Sequence, residues 1–317
     1  MRQRLPIIAT VVVFLLLYVA ACFRFEGFGT LRVFFNFLSD NAFLGVIAVG
    51  LTFVILTGGI DLSVGAMLGC AGIMVADLIT KFHLHPGLAT LIVLGFGALV
   101  GWTQGMLVEK FKLPSFLVTL GGLFFCRGFS LWISRESMQI DHPAFSELSQ
   151  FSIKLPAKAS LPVSALVWLV ILAIGAYLAR QTRFGRTTYA IGGNEASARL
   201  MGLPVSKTKV LIYTFSGFCA ALGGLVFALY TGSGNAVSGT GLELDAIAAV
   251  VIGGTLLSGG YGSILGSFIG VMILGVIQTA ISFDGTLSSW WTKIFIGALL
   301  LIFILLQKLI ERSVRAN

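Results

Sequence analysis

The residue types that carry most enzyme chemistry are few in this chain and form no familiar catalytic pattern. No Gly-Lys dipeptide occurs, so the phosphate-binding P-loop is missing and ATP must be hydrolysed by another chain if it is used at all. Neither G-x-S-x-G nor HExxH occurs. His83, His85 and His142 lie between apolar runs, where exposed loop positions are favoured over a metal site. The motifs therefore predict a protein that is not an enzyme and binds no metal.

Hydrogen-bonding side chains inside otherwise apolar runs are the second group of candidates. A polar group within a membrane span costs free energy and tends to face the bundle interior or a cavity. Such a group either binds the hydroxyls of a polar solute on its pathway or joins two helices, and the sequence leaves both open. The candidates for a gate or pathway are Asn41, Thr52, Asp61, Ser63, Gln104 and Gln278.

Three charged residues lie within or beside these runs. Asp61 is placed to cap a helix that begins at Leu62, or to act at the cytoplasmic gate or the ATPase contact. Arg127 and Lys293 fall near the outer ends of runs, where we expect their long side chains to snorkel toward the membrane surface.

The composition indicates the class of protein in which these polar groups are held. The chain has 317 residues, of which 57% are hydrophobic and 11% are charged, and its mean hydropathy is +0.98. Soluble domains are about 25% charged, so this chain has too few charges to cover a surface that faces water. The composition predicts an all-α polytopic membrane protein, in which the net charge of +8 bears on membrane topology and not on nucleic acid.

The uncharged runs predict about ten transmembrane helices in one domain over residues 1–317. The 38-residue run 246–283 exceeds the roughly 20 residues of one span and is interrupted by glycines at 253–262, which predicts two helices with a broken or re-entrant element between them. Ten spans place 13 basic residues on the side of the termini and 6 on the other. The positive-inside rule then predicts cytoplasmic termini, a cytoplasmic loop at 180–209 and a periplasmic loop at 134–160.

The cytoplasmic loop contains signals for a short helix. Asn194 is a good N-cap, and Glu195 complements the helix dipole in the first turn. Arg199 follows Glu195 at the spacing of a favourable i,i+4 ion pair. Gly202 is placed to end the helix. These signals predict a two-turn helix over about Glu195–Met201.

Such a helix is too short to be stable alone in water, so it must pack on something. Its small apolar surface consists of Ala196, Ala198, Leu200 and Met201. Gly192 and Gly193 precede it and allow another backbone to come close. The helix packs either on its own membrane domain or, as a coupling helix, in a groove of a separate motor subunit.

Three segments carry a resemblance to a known family. The loop resembles the coupling loop of ribose- and galactose-type ABC permeases in FGR at 184–186, YAIGGN at 189–194 and ARLMG at 198–202. TGGIDLSVG at 57–65 and VIGGTLLSGG at 251–260 match two further signatures of that family. Within it, the chain is most similar to permeases of galactofuranose importers, through DNAFLG at 40–45 and FDGTLSSWWTK at 283–293.

The resemblance implies a sugar-transporting subunit of the bacterial inner membrane that binds no cofactor, with ATP and Mg²⁺ held by a partner ATPase. It implies a second permease subunit in a heterodimer, cytoplasmic ATPases and a periplasmic binding protein. The implied ATPase-coupling residues are Gly185, Arg186, Gly192, Gly193, Asn194, Glu195, Ala198, Arg199, Leu200 and Gly202. Glu243 and Asp245 either complement a helix dipole or contact the binding protein.

Alternatives remain at this level. The sugar could be ribose, galactose or another monosaccharide, because the galactofuranose assignment depends wholly on similarity. An ion-coupled secondary transporter would place ionisable groups near the membrane midplane. We expect the Asp and Glu residues of this chain to lie near loops or helix ends, which argues against ion coupling. An intramembrane enzyme would need a paired nucleophile and base, and we find none.

Overall fold

The computed structural model describes residues 5–154, 156, 159–288 and 290–315. The elements are α1 Leu5–Arg24, α2 Leu31–Asp40, α3 Ala42–Leu56, α4 Val64–Thr80, α5 Pro86–Lys110, α6 Ser115–Ile133, β1 Met138–Gln139, α7 Pro143–Gln150, β2 Ser152–Lys154, β3 Ser160–Pro162, α8 Val163–Gln181, α9 Arg183–Gly193, α10 Glu195–Leu200, α11 Val205–Thr231, β4 Ser233–Gly234, α12 Leu242–Ile252, α13 Ile264–Asp284 and α14 Trp290–Arg315. Residues 1–4 and 316–317, whose cytoplasmic placement the sequence predicts, lie outside the described residues.

The chain is helical and apolar, as its composition predicts. Among the described residues, six helices are long and apolar enough to span a membrane, namely α1, α5, α6, α8, α11 and α13. The α2–α3 pair passes the same test together but bends by 56° between its two helices. Each of the ten apolar runs contains a helix, yet α12, with 11 residues, extends only about 16 Å against a hydrocarbon core of about 30 Å. The count of ten spans and the side of the termini therefore stay predictions.

The predicted interruption after α12 is confirmed. Helix α12 ends at Ile252 and α13 begins at Ile264, with four glycines of positive φ among the residues between them. A second interruption, residues 57–63, separates α3 from α4. The two meet where the Gly260 N–H donates to the Leu56 carbonyl at 2.8 Å. This bond joins the second interruption to the last residue of α3 and satisfies a buried backbone carbonyl.

Helix α11 lies at the centre of the bundle and packs on α3, α4 and α5. Its contact with α5 is close because glycines face each other: a Cβ added to Gly217 would lie 2.3 Å from the Gly97 carbonyl oxygen. A Cβ added to Gly101 would lie 2.2 Å from the Tyr213 oxygen. Small residues permit this approach between spans, and any side chain here would force the helices apart.

The 134–160 loop lies at the opposite end of the bundle from α9 and α10 and contains the short helix α7. Strand β1 pairs with β4, and β2 pairs with β3, both antiparallel. After β4 the chain runs along α4, and Arg127 of α6 donates to the carbonyls of Ala236 and Ser238, the latter at 3.0 Å. The guanidinium of Arg127 thus binds two backbone carbonyls of the segment after β4, and the snorkelling expected for its side chain stays a prediction.

Candidate functional site

The predicted cytoplasmic helix is present as α10. Asn194 is its N-cap, and the Asn194 side-chain oxygen accepts from the Ser197 N–H at 2.8 Å. Met201 is the C-cap, and Gly202 follows with φ +74°. Local sequence signals suffice to predict this helix because capping groups act only on neighbouring backbone. Most of the remaining 180–209 loop is also helical, since α8 reaches Gln181 and α9 precedes α10.

Helix α10 has one face on its own chain and one face in solvent. Ala198 is fully buried in a small cluster with Ile191 of α9 and Val205 of α11. Leu200 and Met201 are 89% and 68% exposed. Of the four apolar residues predicted to form one surface, Ala198 therefore holds the helix to the membrane domain, while Leu200 and Met201 form an outward apolar pair.

The charged side chains of α10 join a network across three helices. Glu195 and Arg199 form the predicted i,i+4 ion pair at 2.9 Å. Lys209 of α11 bonds the other oxygen of Glu195 at 2.5 Å. Arg199 also reaches Glu109 at the end of α5, at 2.5 Å. Two basic residues thus bind α10 to both long helices that lead into the bundle.

Glu109 is the centre of this network and was missed by the sequence interpretation. It is 4% exposed and receives bonds from Lys112 and from the Ser206 hydroxyl, each at 2.6 Å, besides Arg199. The available signal was a single acidic residue among lysines at the end of a span. The sequence pattern predicts an exposed side chain paired with Lys112. In the fold, α10 and α11 pack against this residue and bury it.

The pKa values in the loop follow from this pairing. Burial raises the pKa of Glu195, but hydrogen bonds from Lys209 and Arg199 outweigh it and hold the pKa below its ordinary range. Hydrogen bonds to Glu109 and Glu195 raise the pKa of Arg199. The hydrogen bonds between these groups therefore favour the charged form of both Glu195 and Arg199.

The glycines of the 180–209 loop differ in what surrounds them. A Cβ on Gly192 would lie 1.9 Å from the Leu56 oxygen and 2.2 Å from the Gly260 nitrogen, so α9 meets both interruptions of the bundle there. A Cβ on Gly193 has nothing of this chain within 4 Å, and the approach of another backbone to Gly193 stays a prediction. Gly185 permits the tight turn from α8 into α9, whereas Arg186 is exposed on α9.

Three predicted pathway residues come together in the bundle. Asp61 is fully buried and accepts from the Ser63 N–H at 3.0 Å, the Ser63 hydroxyl at 2.6 Å and the Ser216 hydroxyl of α11 at 2.7 Å. The Ser63 hydroxyl is also 3.3 Å from the Gln104 side-chain oxygen. Within the described chain, the buried amide nitrogen of Gln104 has no hydrogen-bond partner. Asp61, Ser63, Gln104 and Ser216 form what we call the Asp61 cluster.

Asp61 lies in the irregular segment between α3 and α4, near a helix start as expected for the acidic residues, and it is fully buried there. Ser216 is about 16 Å along α11 from its first residue, so the carboxyl lies inside the bundle. The helix after it begins at Val64, not at Leu62, and Asp61 stabilises that start by accepting from the backbone of Ser63. Residues Ser115 and Thr119 of α6 hold the neighbouring backbone N–H and carbonyl of Ile60.

The other pathway candidates lie elsewhere. Thr52 of α3 and Ser267 of α13 join their helices at 2.8 Å between hydroxyls. Asn41 donates to the Phe37 carbonyl at 3.0 Å, at the bend between α2 and α3. Gln278 is exposed and lines a cavity of about 490 Å³ at the end of the bundle that carries α7. The structure therefore unites Asp61, Ser63 and Gln104 and separates them from these three.

Glu243 and Asp245 lie in the first turn of α12, as dipole complementation predicts. Asp245 pairs with Lys293 at 2.5 Å beside the 490 Å³ cavity, and the snorkelling expected for Lys293 stays a prediction. Glu243 is half-buried, and its carboxylate lies against Gly65 of α4. A contact of either residue with a binding protein stays a prediction.

Two of the three histidines cap helices. The Nδ1 of His85 accepts from the Gly87 N–H at 3.1 Å at the start of α5. The Nδ1 of His142 accepts from the Ala144 N–H at 3.2 Å at the start of α7. Their rings are 6.1 Å apart. Capping gives both residues a structural role in the fold.

Comparison with known proteins places these features in a family. The family described as "Branched-chain amino acid transport system / permease component" matches residues 33–304. The chain is 52% identical to the inner membrane ABC transporter permease protein YjfF of Escherichia coli, over 97% of this chain and 93% of that protein. It is 36% identical to the fructose import permease protein FruG of Bifidobacterium longum, over 97% and 92%. It is 35% identical to the ribose import permease protein RbsC of Escherichia coli, over 89% and 87%. No solved structure matches the chain.

Proposed function

Since the chain belongs to the branched-chain amino acid transport system / permease component family, and within it to the ABC sugar permeases of the bacterial inner membrane, we propose that it carries galactofuranose across that membrane in a heterodimer with a second permease. A partner ATPase supplies the energy, and a periplasmic binding protein delivers the sugar. The observation that supports this proposal best is the construction of α10.

Helix α10 has the properties of a coupling element. Its inner side is fixed by Ala198 and by the bonds of Glu195 and Arg199 to α5 and α11. Its outer side presents Leu200 and Met201, whose exposure costs free energy until a partner covers them. A force applied to this pair by an ATPase is passed to α5 through Glu109 and to α11 through Lys209.

The same movement reaches the bundle by a second route. Helix α9, directly before α10, is in backbone contact with both interruptions through Gly192. The segment 57–63 of the first interruption holds Asp61 and Ser63. A rotation of α9–α10 therefore changes the backbone beside the Asp61 cluster, which we assign to the gate for the sugar.

The choice of galactofuranose is supported by sequence similarity in two segments, DNAFLG at 40–45 and FDGTLSSWWTK at 283–293. Both lie near one end of the bundle, where Asn41 starts the bend before α3 and Lys293 pairs with Asp245 by the 490 Å³ cavity. A site for a hydroxyl-rich solute needs such groups next to an apolar wall. The relatives named for fructose and ribose import provide the competing substrates.

Uptake of radiolabelled galactofuranose, ribose and fructose tests the proposal in cells that co-express all partners. The test variant is Leu200→Ser with Met201→Ser, and the control is Phe111→Ser with Leu113→Ser, two exposed apolar residues at the same end but outside α10. We expect uptake of galactofuranose alone, lost without the ATPase and in the test variant and kept in the control. Uptake that persists without the ATPase and stops with a protonophore would make Asp61 the ion-coupling group and overturn the proposal.

A further inference from the structure

A basic groove of about 670 Å³ lies between α9 and the start of α11. Its charged lining consists of Arg183 and Arg186 from α9 and Lys207 from α11. All three side chains are exposed, and among the residues that the structure describes none of the three is within salt-bridge distance of a carboxylate. Arg199 and Lys209, close by in sequence, are both neutralised by Glu109 and Glu195. The groove therefore holds three unpaired positive charges.

The helix dipoles add to this potential. Helices α9 and α11 both begin at the groove, and neither has an acidic residue in its first turn. Instead Arg183, Arg186 and Lys207 occupy those turns, where a cation is unfavourable. The N-cap of α11 is Pro204, which makes no side-chain cap hydrogen bond. Thr182 caps the start of α9, and Glu109 accepts from Ser206 in the first turn of α11, so the site depends on its three exposed cations, which are complementary to a phosphate group.

The groove also has an apolar wall. Phe184, Leu203 and Leu211 line it, and Leu211 is 45% exposed on the span α11. Lys207 and Leu211 line a second cavity of about 480 Å³ as well, together with Trp102 of α5. From there Trp102 and Leu99, exposed by 46% and 57%, continue along the outside of α5. A phosphate in the groove would thus lie next to an apolar track along two spans.

We propose that this groove binds an anionic phospholipid of the cytoplasmic leaflet, with the headgroup at Arg183, Arg186 and Lys207 and an acyl chain along Leu211 and Trp102. An acidic surface of a partner protein would match the charges but leave the apolar track on the spans uncovered. A free phosphate would match the charges but leave the track empty. Basic grooves beside spans on the cytoplasmic side are typical sites of such lipids.

The test measures retention of phosphatidylglycerol and phosphatidylcholine by the purified full-length chain after delipidation and re-addition, by mass spectrometry. We expect phosphatidylglycerol to be retained preferentially by the wild type. The variant Arg183→Ala, Arg186→Ala and Lys207→Ala should bind it about ten- to a hundredfold more weakly. The control removes three exposed cations from the other end, as Arg32→Ala, Arg135→Ala and Lys154→Ala, and should bind it as the wild type does.

Two further measurements distinguish a lipid site from a folding defect and from a free-phosphate site. The variant Arg183→Lys with Arg186→Lys preserves the charge and should restore retention, which separates loss of the site from loss of the fold. Glycerol phosphate at matched ionic strength should not displace the lipid; displacement would show a free-phosphate site. Equal retention of both lipids by the wild type would overturn the proposal. So would a triple variant that retains lipid as the wild type does but no longer co-purifies with the ATPase when the two are co-expressed. The experiment does not use transport, so its failure is distinct from failure of the proposed function.

Discussion

Two buried carboxylates at different depths show how this fold treats charge. Glu109, at the end of α5, is 4% exposed and is paired with Lys112 and Arg199, with Lys209 at 3.8 Å. Asp61, inside the bundle, is fully buried and, among the described residues, accepts hydrogen bonds from Ser63 and Ser216. Glu109 is surrounded by cations at the end of the bundle that carries α10, which we call the rim. Asp61 is surrounded by neutral donors within the bundle.

This difference in surroundings gives the two buried carboxylates different roles in the packing of the helices. Cations around Glu109 make its charge necessary, because an uncharged group there would leave Arg199, Lys112 and Lys209 without the charge that they face. Hydroxyl donors around Asp61 can also turn around and accept, so the shape of that cluster is compatible with an amide. Glu109 therefore links α5 to α10, whereas the Asp61 cluster is held by groups that can exchange donor and acceptor roles.

The largest expected effect comes from breaking the connection between the two regions. Gly192→Ala places a Cβ against the backbone of Leu56 and Gly260, so we expect a loss of about 3 kcal/mol or more in stability and loss of uptake. Gly193→Ala, the matched control, meets open space and should leave both nearly unchanged. Thermal unfolding of the detergent-purified chain measures this. Equal effects of the two substitutions would show that α9 does not pack on the interruptions.

The next largest effect is expected from removing the charge of Glu109. Glu109→Gln keeps the shape but removes the charge that Arg199 and Lys112 face, and should cost roughly 2 kcal/mol. If Glu109 positions α10, the ratio of sugar transported to ATP hydrolysed should also fall in the assembled transporter, which a merely structural role would not change. Glu109→Asp should restore part of that ratio. An unaltered ratio in Glu109→Gln would remove Glu109 from the coupling route.

A smaller effect is expected within the bundle. Asp61→Asn keeps acceptance from Ser63 and can donate to the Ser216 hydroxyl, so it should cost less than about 1 kcal/mol. Asp61→Ala, which leaves these donors without an acceptor, should cost about 1–3 kcal/mol. Thermal unfolding of both variants is the measurement. A cost for Asp61→Asn as large as that for Glu109→Gln would erase the contrast between the two carboxylates.

The smallest effect is a pH dependence at the rim. The pKa of Glu195 is lowered from 4.5, so its stabilising contribution is complete above that value and is lost as the pH falls through its lower folded pKa. Between about pH 6 and about pH 9 the difference in melting temperature between wild type and Glu195→Gln should stay constant. Below pH 4.5 that difference should shrink. A difference that varies between pH 6 and 9 would assign a titrating group to the network.

Local signals in the sequence predicted much of the candidate site. The N-cap Asn194, the ion pair of Glu195 with Arg199 and the break after α12 were all predicted correctly. Each depends on atoms within a few residues of each other, where spacing alone decides whether they meet. Hydrophobic runs likewise indicated a bundle of apolar helices, because a span must satisfy its own backbone.

Long-range packing decided the rest. The sequence alone determined that this is a polytopic helical permease with a short capped helix before α11. Only the tertiary structure placed α5 against α10, which made Glu109 the centre of an ion network, and buried Asp61 against Ser216. It also gave Gly192 and Gly193 different roles. Residues that are distant in the chain come into contact only when the helices pack. The type of a side chain does not determine which distant residue it will contact.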